Sequence, residues 1–72
     1  MVDTDKLKGL LVSNGLRQED AAKAIGISTQ TFNGKINNKT DFLSSEIEKL
    51  CELLNLKNAD KVLEIFFSKN VN

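Results

Sequence analysis

Thr29, Gln30 and Asn33 are the residues whose types and spacing point to chemistry, and that chemistry is hydrogen-bond recognition rather than bond making. Spaced i, i+1 and i+4, they can share one side of a helix. A carboxamide such as that of Gln30 offers a donor and an acceptor side by side. Gly34 follows at once and leaves room beside them. Around this group stand Arg17, Gln18, Lys35, Asn37, Asn38 and Lys39, which can meet an anion by charge or by hydrogen bond. Nothing in the chain pairs a nucleophile with a base. Histidine is absent, and Cys51 is the one cysteine. The usual Cys/His zinc site is therefore excluded, and so is an intrachain disulfide. No glycine-rich phosphate loop occurs, and the carboxylates are scattered along polar helix faces. A binding protein is expected, without catalytic residues, cofactor or metal.

The elements that must position these side chains follow from size and pattern. A chain of 72 residues holds one domain, taken as 1–72, with a core small enough to need efficient packing or a partner. Apolar residues make up 40 % of it, which suits a globular fold. No apolar run approaches the roughly 20 residues of a membrane helix. The polar, acidic start is unlike a secretory signal, and a reducing cytoplasm is the expected location. Proline is absent and no apolar/polar alternation suggests a strand, so the expected class is all-α, a compact bundle of about five short helices.

The first helix is expected from Thr4 or Asp5 to Asn14, with Leu7, Leu10, Leu11 and the later Leu16 as apolar contacts and Gly15 as its stop. The second runs from Gln18 to Ala24 or Ile25, with Ala21, Ala22 and Ile25 inward, and ends at Gly26. Ser28 caps a third helix over about 29–36. Ile27 and Phe32 are placed for a hydrophobic staple across that cap, and Phe32 and Ile36 face inward. After a polar loop, Phe42 and Leu43 re-enter the core. A fourth helix runs from Ser44 or Ser45 to Leu54, with Ser45 and Glu48 spaced for a capping box and Ile47, Leu50, Cys51 and Leu54 inward. Asn58 caps a last helix from Ala59 to about Lys69. There Ala59, Val62, Leu63, Phe66 and Phe67 form a stripe that leaves Ile65 outside it. Either the stripe closes the core, or Phe66 or Phe67, with Ile65, presents apolar surface to another chain.

The segment 18–37 reads Gln18-x-x-Ala21-Ala22-x-x-Ile25-Gly26-Ile27-Ser28-x-x-Thr31-Phe32-x-x-x-Ile36-Asn37. It closely resembles the helix-turn-helix of the Cro and lambda-repressor (XRE) family, and the resemblance extends over roughly 7–56. The stretch Thr31-Phe32-x-x-Lys35-Ile36-Asn37-x-Lys39-x-x-Phe42, followed by Glu46-Ile47, looks like small Cro-like proteins of temperate phages. Size and order also look like a phage modulator of repression, which acts on the repressor. The resemblance implies a lambda-repressor-like DNA-binding domain whose third helix enters the major groove of double-stranded DNA. Gln18 would contact a phosphate and brace that helix. Thr29 and Gln30 would reach base edges, with Asn33 and Gly34 over the next bases. Arg17, Lys35, Asn37, Asn38 and Lys39 would face phosphates. A homodimer would match a two-fold operator, whose half-sites lie about 34 Å apart.

Three departures from the family pattern stand out: Arg17 at a position usually held by a threonine or serine cap, Gly34 for a longer polar residue, and Asn38 for a loop glycine. Net charge is zero. It divides unevenly: 17–40 carries four cations against two carboxylates, and 41–72 carries four against six. The middle of the chain is thus the expected phosphate-facing part. Two functions follow. One is a phage transcriptional regulator binding DNA through the helix at 29–36. The other is an antirepressor that binds the phage repressor protein directly through the apolar last helix. The regulatory antitoxin of a toxin pair is a third and weaker reading.

Overall fold

Local signals decide where each helix begins and ends in the computed structural model, which describes residues 1–68. Helix α1 spans Thr4–Ser13, α2 Gln18–Ile25, α3 Thr29–Ile36, α4 Ser44–Leu53 and α5 Ala59–Phe66. Among the described residues there is no strand. Asp3 caps α1 by accepting from the Lys6 N–H, Ser28 caps α3 at Thr31, and Asn58 caps α5 at Asp60 and Lys61. Helices α2 and α4 begin without a hydroxyl cap. Instead a carboxylate three residues on turns back: Asp20 accepts from the Arg17 N–H at 2.9 Å, and Glu46 from the Leu43 N–H at 2.8 Å. The capping carboxylate of α4 is therefore Glu46, not Glu48, and Ser45 lies inside the first turn. Leu43 is the cap residue and projects outward, 61 % exposed, rather than joining the core.

The first four helices close in the same way. A left-handed residue follows each, at Gly15 (φ +68°), Gly26 (φ +82°), Asn38 (φ +64°) and Asn55 (φ +53°). The next N–H then reaches back five residues: Leu16 to Leu11, Ile27 to Ala22, Lys39 to Gly34 and Leu56 to Cys51. This double closure satisfies carbonyls that a helix end leaves bare. Asparagine serves in two of the four places because its short amide tolerates the left-handed region.

The core gathers Leu7 and Leu11 of α1, Ala21, Ala22 and Ile25 of α2, Phe32 and Ile36 of α3, Leu50 of α4, and Leu54 just past it, with Phe42 between. Alanines on α2 let it pack closely on both α3 and α4. Three aromatic rings join the layers edge to face: Phe32 to Phe42 at 5.6 Å and Phe42 to Phe66 at 6.0 Å.

The last helix corrects the expectation for its surface. Ile65 and Phe66 are buried, each 3 % exposed, and are not a partner surface. The inward arc is Val62, Ile65 and Phe66, while Leu63 (57 %) and Phe67 (54 %) face outward. An apolar-rich eight-residue helix has more than one plausible stripe. Packing on α1 selects among them, with Glu64 drawn to Lys6 and the Ile65 carbonyl accepting the Asp3 N–H. The helix stops at Phe66, and Lys69 lies outside the described residues.

Segment 1–3 is stitched in as well. Val2 is buried, and both its backbone groups bond the Asn38 side chain: the Val2 N–H donates to Oδ1 at 2.7 Å, and Nδ2 donates to the Val2 carbonyl at 2.9 Å. Thr4 donates its hydroxyl to the Ile36 carbonyl. Asn38 thus holds a left-handed turn and a clamp at once. Asn38→Gly keeps the turn but loses the clamp, and chemical denaturation should show a loss of about 1–3 kcal/mol. Asn38→Ala should lose about 1 kcal/mol more, because the left-handed turn is then strained. Asn55→Gly, where the amide has no partner among the described residues, should change stability by less than about 0.5 kcal/mol.

Candidate nucleic-acid interface

Helices α2 and α3 meet across the three residues Gly26, Ile27 and Ser28. Gly26 takes the left-handed turn, Ile27 tucks against the core, and Ser28 opens α3. Phe32 and Ile36 are wholly buried, so the opposite side of α3 must face solvent. Thr29, Gln30 and Asn33 are exposed there, with Gly34 half-buried among them. Thr31 also faces solvent, its hydroxyl oxygen accepting from Ser28 at 2.8 Å. Thr31, part of the motif at 18–37, thus has an outward role that its place in the motif alone does not assign. Its position three residues before Gly34 on the same helix was the available signal.

The two helices are bridged on this outer side. Asn33 Nδ2 donates to Gln18 Oε1 at 3.2 Å. Gln18 therefore braces α3 from the start of α2, and Asn33 keeps one amide hydrogen and its side-chain Oδ1 available. Asn37 donates to the Asn33 backbone carbonyl at 2.9 Å, so its amide nitrogen braces the end of α3 on an otherwise exposed side chain.

The expected phosphate-facing set is only partly brought together. Lys35 is withdrawn: its Nζ lies 2.5 Å from Glu46 Oε1, and the two side chains are 11 % and 8 % exposed. It is a strut between α3 and α4, not a free cation. Asn38 has both ends of its amide committed to Val2 and is likewise removed from that set. Arg17 is exposed, but Glu19 at 3.1 Å and Asp20 at 3.6 Å share it. Such surface pairs are weak and exchangeable, so Arg17 can turn to another anion. Lys39 is exposed on the loop after α3, and Lys23 is exposed near the end of α2, without an ion-pair partner among the described residues. The outer side of α3 is thus rich in amides and hydroxyls and modest in charge.

Glu46 carries the electrostatics that matter for α3. Burial would raise its carboxyl pKa, but the Lys35 hydrogen bond and charge, with the Leu43 N–H, outweigh that and hold it below the usual value. The thiol of Cys51 is pushed up by burial alone, which suits a packing role. No group of His, Cys, Asp or Glu able to hold a metal occurs among the described residues, and no helix there is long and apolar enough to cross a membrane.

Fold and surface together define a small all-α domain in which α3 presents an exposed polar face rich in amides and hydroxyls. The chain belongs to the DUF739 family, described as proteins of unknown function, whose profile matches residues 1–69. Comparison with curated proteins and with solved structures gives no match.

The Lys35–Glu46 strut makes a pH prediction. Because folding lowers the Glu46 pKa, its contribution is fully present above the ordinary value of 4.5 and is lost as pH falls through the depressed folded value. Glu46→Gln, which leaves the partly buried Lys35 without a counter-charge, should lose about 1–3 kcal/mol near neutral pH. Denaturation across an acid series should show the gap between the two proteins narrowing below that pH.

Proposed function

We propose that this protein is a sequence-reading DNA-binding regulator of the Cro and lambda-repressor type, serving a phage or prophage switch of the lysis-lysogeny kind in the host cytoplasm. The observation that carries the reading is the outward face of α3. Thr29, Gln30 and Asn33 are exposed on a short helix seated by a buried Phe32 and Ile36 and braced from α2 by Gln18. That arrangement supports α3 as the element that enters the major groove. Gln30 would pair with adenine through its carboxamide, and Thr29 would touch a neighbouring base or thymine methyl. Asn33 would reach the next pair, while Gln18, Arg17, Asn37 and Lys39 would meet phosphates and set register. Binding occludes a promoter and needs no cofactor. Two copies, joined through Leu63 and Phe67, would suit a two-fold site.

A specific observation favours a second reading, an antirepressor that binds the phage repressor protein. Lys35 is consumed by Glu46, and Arg17 stands against two carboxylates, which leaves little net charge for phosphates. The uncharged polar face of α3, or the outward Leu63 and Phe67 of α5, would serve a protein partner.

Salt separates the two. With Arg17, Lys23 and Lys39 as the available cations, log affinity for DNA should fall against log salt with a slope of about −2 to −3 per protomer. A complex held by apolar burial keeps its affinity. The direct test is a pull-down from host and phage genomic DNA at near-physiological salt, using wild type and Gln30→Ala. Enrichment of a short dyad by the wild type, lost in the variant, is the expected result. No enrichment by a folded wild type would overturn the DNA reading and turn the search to the repressor.

A further inference from the structure

Helix α3 carries a glycine that its own fold does not require. Gly34 lies inside Thr29–Ile36 with an ordinary helical backbone; the glycines with positive φ are Gly15 and Gly26. A Cβ added at Gly34 would meet nothing within 4 Å. Neither conformation nor internal packing therefore calls for glycine, yet glycine weakens a helix interior more than any residue but proline. Its direction is informative. At 3.6 residues per turn, position 34 points opposite the mean direction of the buried Phe32 and Ile36. It lies at the centre of the outward side, half-buried in a notch because it has no side chain, with Gln30 one turn before it and Thr31 and Asn33 on its shoulders.

We propose that Gly34 is the point of closest approach of α3 to DNA, where a thymine 5-methyl group seats against its bare backbone. The proposal rests on the DNA-binding reading and deepens it. The thymine methyl is the apolar group on the major-groove edge, and every A·T pair that offers adenine to a carboxamide also carries one. Gln30 and Gly34, spaced i,i+4, lie side by side on the helix surface, so a carboxamide on adenine brings a thymine of the same or the next pair beneath Gly34. A methyl needs no hydrogen-bond partner, only room, and an alanine Cβ would fill that room.

The experiment uses the full chain and a duplex selected by the wild type from a random-sequence library. Wild type, Gly34→Ala and Gly9→Ala are compared on it, and on duplexes with deoxyuridine replacing each thymine in turn. Gly9, in α1, is also sterically open and serves as the control. Both alanine variants should melt higher, by roughly 4–8 °C. Gly9→Ala should bind as the wild type does. Gly34→Ala should bind about tenfold or more weakly despite its greater stability. Deoxyuridine at one thymine should restore it to within a few-fold of the wild type. Wild-type affinity in Gly34→Ala, or no rescue at any thymine, would overturn the methyl seat while leaving DNA reading intact. Failure of the wild type to select any sequence would overturn the DNA reading, and the methyl seat with it.

Discussion

The seating of Phe32 is the constraint on which the rest of the molecule depends. Its ring is wholly buried one turn into α3 and meets Phe42 edge to face, and Phe42 in turn meets Phe66. These contacts tie α3 to the loop before α4 and to α5. With Ile36 buried one turn later, they leave α3 a single rotational setting. Once that setting is fixed, the side that faces out is fixed too. The polar face of α3 is thus a consequence of where two apolar side chains go.

Polar struts then hold the ends of α3. Ser28 caps its start, Lys35 crosses to Glu46, Asn38 clamps Val2, and Thr4 bonds the Ile36 carbonyl. These bonds also use up polar groups that would otherwise be free at the surface. Lys35 and Asn38 are withdrawn from the surface by the bonds that make it rigid. Such rigidity would serve the DNA reading proposed for α3, since side chains on a fixed scaffold lose less freedom on binding. Weak charge and a stiff polar face belong to one design.

Much of the fold was legible in the sequence because its signals are local. Gly15 and Gly26 marked helix ends, Ser28 and Asn58 marked helix starts, and the spacing of Leu7 and Leu11, Phe32 and Ile36, and Leu50 and Leu54 marked inward faces. What was not legible depends on contacts between distant residues. The choice between Ile65 and Leu63 as the inward side of α5 is made by α1. The diversion of Lys35 is made by Glu46, eleven residues away, and that of Asn38 by Val2, 36 residues away. Glu46 and Glu48 were equally good capping carboxylates by type. The chain's entry into α4 two residues earlier, with its cap at Leu43 rather than Ser45, decided between them. The outward set of Thr29, Gln30 and Asn33 was readable because it is the complement of a strong apolar pair.

On the proposed function, the outer face of α3 is the surface that reads DNA. The most direct measurement is a nuclear magnetic resonance titration of isotope-labelled protein with the duplex selected by the wild type. Shifts should concentrate on the backbone amides of Thr29, Gln30, Asn33 and Gly34 and on the side-chain amides of Gln18, Gln30 and Asn33, with Lys39 following and α5 unmoved except near Leu63 and Phe67 if two copies pair on the duplex. Shifts confined to α5, or an unmoved α3 at saturating duplex, would contradict the account.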